Sequence, residues 1–171
     1  IHTQYSICEG AIKIDDLKDF CKTNKIKAVG LSDTNNLCGA LEFSEEISKV
    51  GTQPIIGTQI SFKFKDEIGL IPIIAKNRKG YESILQLSSN SYLHNNINIT
   101  PHCDIKDLVN NPDGIIVLSG SIQSLSGKLF LKNKLQELSE LYQLLNKNFD
   151  NNFYLEIQRH NDQNEKQFEK Y

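Results

Sequence analysis

Short runs rich in Ile, Val and Leu alternate along this chain with longer segments whose apolar residues recur at helical spacing. This alternation constrains the fold more than any other feature. A strand that is followed by a helix and then by another strand buries both elements best as a parallel sheet or barrel covered by helices. In such folds ligands sit at the carboxyl ends of the strands. The residues just after each apolar run are therefore where chemistry is expected: Asp33 and Thr34, Gln59, Ser119 to Ser121, and Gln158 to His160, and His2 joins them if residues before Ile1 supply a further strand.

The elements follow from spacing and punctuation. Asp15 and Asp16 open a helix with Leu17, Phe20 and Cys21 at helical spacing, and Asn24 closes it. "IKAVGLS" (26–32) reads as a buried strand. A second helix runs from about 37 to 50, with Ala40, Leu41, Ile47 and Val50 on its apolar side and Gly51 after it. Residues 54–64 and 68–75 are strands, although Pro72 removes a ladder donor. Residues 77–93 form a helix with Tyr81, Ile84, Leu85 and Leu87 or Ser88 inward. "NPDG" (111–114) is a turn leading into the strand "IIVLSG". Leu-rich residues 129–145 are the longest helix candidate, "FYLEIQRH" (153–160) is a last strand, and "DQNEKQFEKY" begins another helix.

Composition narrows the function classes. The 171 residues amount to about one domain. A formal net charge of -2 excludes a strongly basic nucleic-acid-binding module acting alone, but not a near-neutral part of a larger nucleic-acid machine. No stretch approaches the ~18 consecutive apolar residues of a membrane helix. Cys8, Cys21, Cys38 and Cys103 show no C-x-x-C spacing, and no signal peptide is visible, which fits reduced thiols in a cytoplasmic protein. The chain starts without Met in what reads as a strand tail and stops inside a helical pattern, so it is expected to be a fragment of something longer.

Each candidate site residue has a plainer reading. His2, Asp33 and His160 stand where metal ligands could converge, yet three scattered ligands fall short of the roughly nine that a two- or three-ion hydrolase needs. Asp33 serves as well as a capping or hydrogen-bonding residue near the helix that follows Thr34. His160 reads equally as a structural imidazole, and His94 and His102 as solvated loop residues. No cysteine is paired with a histidine, and core or semi-buried thiols are the default for Cys8, Cys21 and Cys38. "LSGSIQSLSGK" is not a P-loop, because Lys128 is followed by Leu129. A polar turn into a helix N-terminus accounts for it.

Taken in order, "HTQYSICEGA", "LSDTNNLCGALEF", "QPIIGTQISF", "NRKGYESILQLSS", "DGIIVLSG" and "NFYLEIQRH" resemble the N-terminal polymerase-and-histidinol-phosphatase (PHP) domain of bacterial DNA polymerase III alpha subunits. The resemblance implies an α/β fold, a distorted seven-stranded (β/α) barrel, of which residues 1–171 would be an incomplete N-terminal portion. It also implies metal ligands at strand ends. Of a His-x-His pair this chain has His2. An Asp-His pair reads Asp33-Thr34. A Glu is replaced by Gln59, a His by Leu70 and a Cys by Ser121, while the His of "QRH" is kept as His160. Leu70 coordinates nothing, and Thr34, Gln59 and Ser121 are neutral. The expectation is a vestigial site, with His2, Asp33 and His160 as relic positions, no metal and no catalytic residue.

By the same resemblance, the full protein is a DNA-directed DNA polymerase of chromosomal replication, using Mg²⁺ in domains outside this chain. Its partners are the proofreading exonuclease subunit, other replicase subunits and primer–template DNA. This portion has a structural, docking role. Two alternatives stay open. One is an active metal-dependent phosphoesterase or 3′–5′ exonuclease of the PHP superfamily. The other is an unrelated α/β-barrel enzyme with Asp33 as catalytic acid.

Overall fold

The computed structural model describes residues 1–93 and 99–171. The expected alternation of strand and helix is present: α1 (Ile14–Asn24), β1 (Ala28–Thr34), α2 (Ala40–Ser48), β2 (Gln53–Phe64), β3 (Glu67–Ala75), α3 (Arg78–Leu93), β4 (Cys103–Asp104), α4 (Ile105–Val109), β5 (Ile115–Leu118), α5 (Leu125–Leu131), α6 (Leu135–Phe149), β6 (Phe153–Tyr154) and α7 (Glu165–Lys170). The sheet order is β1-β2-β3-β5-β6, with β4 beside β2. Pairings β1–β2, β2–β4 and β5–β6 are parallel. Pairings β2–β3 and β3–β5 are antiparallel. The sheet is therefore mixed rather than wholly parallel. The break comes at Lys65 and Asp66: Lys65 takes φ 53 and turns β2 straight back into β3, leaving no room for a crossover helix.

Pro72 sits opposite Gln59 in the β2–β3 ladder, and pairing with β5 begins only at Ile73. The missing donor thus falls outside the β3–β5 ladder. The larger core joins Ile60, Phe62, Ile71, Ile73 and Val117 of the sheet to α3, α4, α5 and α6. A smaller one joins Leu31 of β1 to Ile14, Leu17 and Cys21 of α1 and to Phe43 and Ile47 of α2.

Several helix faces depart from the sequence reading. Phe20, Leu41 and Leu85 are exposed, and the inward positions are taken by Phe43 in α2 and by Gly80, Ile84, Leu87 and Ser91 in α3. Gly80 is inward because the helix start presses on the turn that precedes β5. A Cβ there would lie 1.8 Å from the Gly114 oxygen. α1 is closed by Lys25 in the left-handed region rather than by Asn24. The long helix expected over 129–145 is two helices, α5 and α6. Asn133 at φ 56 breaks it. The last strand keeps only Phe153 and Tyr154, and residues 155–164 run on without strand pairing.

Glu67 ties the hairpin to the α5–α6 corner. Its carboxylate is buried and accepts from Lys132 Nζ at 2.8 and 3.0 Å, with Lys134 Nζ 3.0 Å away. The hydrogen bond from Lys132, then that from Lys134, holds its carboxyl below the usual 4.5. A depressed acid contributes stability that is present above its ordinary value and lost as pH falls through its lowered one. Glu67→Gln should lower stability by about 1 kcal/mol at neutral pH. It should also flatten the loss of stability below pH 4.5 in denaturant melts followed across pH.

Candidate functional site

A cleft of about 900 Å³ opens where the strand ends meet the first residues and the segment after β6. His2, Gln59, Ser121, Gln123, Glu156, Gln158, His160, Asp162 and Glu165 line it, together with Ala28 to Ser32 of β1. Of the strand-end positions singled out in the sequence, His2, Gln59, Ser121, Gln158 and His160 thus converge, whereas Asp33, Thr34, Ser119, Gly120 and Arg159 do not line the cleft.

Asp33 lies behind it. Its side chain is 0% exposed, on a β1 residue paired with Thr58. Oδ1 accepts from Thr3 N at 2.6 Å and from Ser6 Oγ at 2.7 Å, and Oδ2 accepts from Thr3 Oγ1 at 2.7 Å. Thr3 and Ser6 are buried as well. The capping role expected for Asp33 is therefore not what it does. α2 begins at Ala40 behind Gly39, which makes no side-chain cap. Asp33 instead straps residues 1–6 against β1, together with the backbone bonds Ile1 N to Gly30 O and Ser32 N to Ile1 O. Two further contacts extend the clamp: Thr34 N donates to Ser6 Oγ and Thr34 Oγ1 to Glu9 Oε2.

That clamp places His2. Its Nε2 is 3.1 Å from Gln59 Nε2, and its Nδ1 is buried without a hydrogen-bond partner. Leu70 adjoins His2 and Gln59 in a side pocket. Ser121 Oγ accepts from Gln123 N. His160 is exposed, and its backbone N–H donates to the Glu165 carboxylate. Glu156 has one oxygen on Gln158 Nε2, while Oε2 is buried and unpartnered. Among the described residues no group of three or more His, Cys, Asp or Glu side chains is placed to hold a metal ion.

The remaining candidates fall away from the cleft. His102 is half-buried, its Nδ1 2.8 Å from Thr100 O, and His94 lies outside the described residues. Cys21 and Cys103 are buried, and burial pushes the Cys103 thiol up to about 11. Cys8 and Cys38 are exposed, contrary to the expected core position. The serine-rich stretch after β5 is a helix start: Ser124 Oγ accepts from Gly127 N to cap α5.

Sequence reasoning missed Thr3, Ser6, Asn35, Glu156 and Glu165. Asn35 bridges β1 to β2 from φ 54, with its Oδ1 accepting from Ser61 N and its own N–H donating to Gln59 O. An Asn after a strand was the available signal, since Asn tolerates the left-handed region. For Thr3 and Ser6 there was none, because small hydroxyl residues near a chain start look like loop.

The PHP domain family model matches residues 1–160. The chain belongs to the PHP domain family. Its curated relatives are DNA polymerase III alpha subunits. It is 33% identical over 170 residues to that of Haemophilus influenzae, covering 98% of this chain and 15% of the relative. It is 35% identical over 171 residues to that of Borreliella burgdorferi, covering 94% and 15%. The chain thus spans about 15% of the length of these relatives. The structure of a candidate metal-dependent phosphoesterase of Bifidobacterium adolescentis aligns at TM-score 0.39 and 17% identity, over 53% of this chain and 32% of that one, and carries no argument.

Asp33→Ala should leave three buried donors without an acceptor and cost about 3 kcal/mol. Asp33→Asn keeps Oδ1 for Thr3 N and Ser6 Oγ, and the Thr3 hydroxyl can turn to accept. It should cost less than half as much, read as midpoint shifts in urea.

Proposed function

We propose that residues 1–171 are the N-terminal part of the PHP domain of a replicative DNA polymerase III alpha subunit, and that this domain is non-catalytic and serves as a docking module. The observation that carries the reading is the state of Asp33. A metal-ligating carboxylate needs a free lone pair directed at the ion. Both oxygens of Asp33 are engaged by neutral donors from Thr3 and Ser6, and none of the three residues lines the cleft. The other relic positions fit a metal no better. Gln59 meets His2 through its amide, Thr34 donates to Glu9, Leu70 has no donor atom, and Ser121 is a neutral hydroxyl.

The charge lining the cleft supports the same reading. Its acids are Glu156, Asp162 and Glu165, and no Lys or Arg is among the described residues that line it. A phosphoester or the 3′ end of a primer would meet carboxylates with nothing to offset its charge. A phosphoesterase or built-in exonuclease therefore has less in its favour than a contact surface. Having Gln59 in place of a Glu and Ser121 in place of a Cys also spares a metal-free cleft charge repulsion and desolvation.

In this proposal the partners are the proofreading exonuclease subunit and other replicase subunits. Primer–template DNA and the Mg²⁺ used for deoxynucleotide addition belong to the remainder of the longer protein. No helix among the described residues is long and apolar enough to cross a membrane.

Titration of the protein with Zn²⁺ or Mn²⁺ in a calorimeter should give no tight stoichiometric binding. p-Nitrophenyl phosphate and a 3′-labelled primer should remain intact with Mn²⁺, and the exonuclease subunit should co-elute with the protein. Hydrolysis abolished by His160→Ala would instead establish the phosphoesterase.

A further inference from the structure

The segment from Leu155 to Asn164 carries a strand-like sequence yet lies outside the sheet. β5 turns away after Leu118, with Gly120 at φ 74, so Leu118–Tyr154 is the last parallel pair. Beyond Tyr154 the tethers from elsewhere in the fold are few. Glu156 N donates to Ser119 Oγ at 2.9 Å. Arg159 pairs with Glu169 at the surface, where such pairs contribute little. Glu165 does the rest: its carboxylate accepts from His160 N at 2.9 and 3.0 Å and from Asp162 N at 3.2 Å. That carboxylate is buried, and it stands on α7, which is docked independently. Phe168 packs on Phe130 with ring centroids 5.2 Å apart, and Tyr171 donates to Leu135 O.

This segment is also a partition. The polar cleft and a neighbouring apolar cavity of about 210 Å³ share Ser121, Ile122, Glu156, Gln158 and Glu165 in their walls. The apolar side is lined by Tyr142, Leu155, Ile157, Phe168 and Tyr171. Leu155 and Ile157 are 68% and 61% exposed, so little apolar burial holds the segment in place.

We propose that residues 155–164 form a gate that opens as a local unit, with the Glu165 carboxylate as its latch. Opening breaks the bonds to His160 N and Asp162 N while α7 stays docked on Phe130. It merges the two cavities into one groove, polar along His2 and Gln59 and apolar along Tyr142 and Phe168. Segments held by few buried contacts and a handful of tethers are the ones that open below the global unfolding free energy. The gate is a property of the fold and holds whether or not the cleft docks a partner.

Arg159 makes the gate measurable, because trypsin cleaves after it and needs the bond extended and free. The full chain, Glu165→Gln and Glu165→Ala are digested under native conditions, and the Arg159–His160 cut is followed by mass spectrometry. Where cleavage tracks the open population, loss of the latch in Glu165→Ala should speed that cut about tenfold or more, with Glu165→Gln between it and the parent. Cuts after Lys63 in β2 and after Lys76 just beyond β3 should not change. Equal rates at Arg159 in a folded Glu165→Ala protein overturn the proposal. Should Glu165→Ala unfold globally, Glu165→Gln decides. Selective acceleration at Arg159 supports the gate, and a uniform rise at all sites overturns it.

Discussion

Asp33 is a carboxylate with no exposed surface, and the placement of the cleft depends on how that charge is satisfied. An unpaired buried charge is costly, so the fold brings three donors to within 2.7 Å of its two oxygens. Two of those donors belong to Thr3 and one to Ser6. Satisfying the carboxylate therefore fixes the path of the first six residues along β1. His2 is carried with them to Gln59, and one wall of the cleft follows.

The same economy recurs. The buried acids among the described residues are Asp33, Glu67 and Glu165, and each is spent on the fold. Asp33 holds the first residues to β1. Glu67 holds the β2–β3 hairpin to Lys132 and Lys134 at the α5–α6 corner. Glu165 holds the segment after β6 to α7. Two of the three hold segments that carry a cleft histidine, His2 in one case and His160 in the other. Two walls of the cleft are in this sense positioned by buried carboxylates.

Much of the secondary structure was legible because its signals are local. Asp15 and Asp16 at the start of α1, the "NPDG" turn before β5 and the β-rich run 53–64 each carry their own punctuation. The failures came where distant residues decide. The split between α5 and α6 rests on Asn133 adopting a left-handed conformation that spacing does not reveal. Leu41 and Leu85 satisfied the helical pattern yet face outward, because Phe43 and Ile84 occupy the inward face. "FYLEIQRH" has strand composition, but a strand needs a neighbour, and β5 has already turned away at Gly120.

What the sequence determined by itself was the family, the alternation of strand and helix, and the short supply of ligands at the strand ends. Those follow from residue types in order, and residue types are local facts. Only the tertiary structure decided where Asp33 points. A carboxylate after a strand can face a ligand, cap a helix or bind another segment, and the sequence near it is compatible with all three. The choice was made thirty residues away, by Thr3 and Ser6, whose three donors engage both oxygens of the fully buried charge.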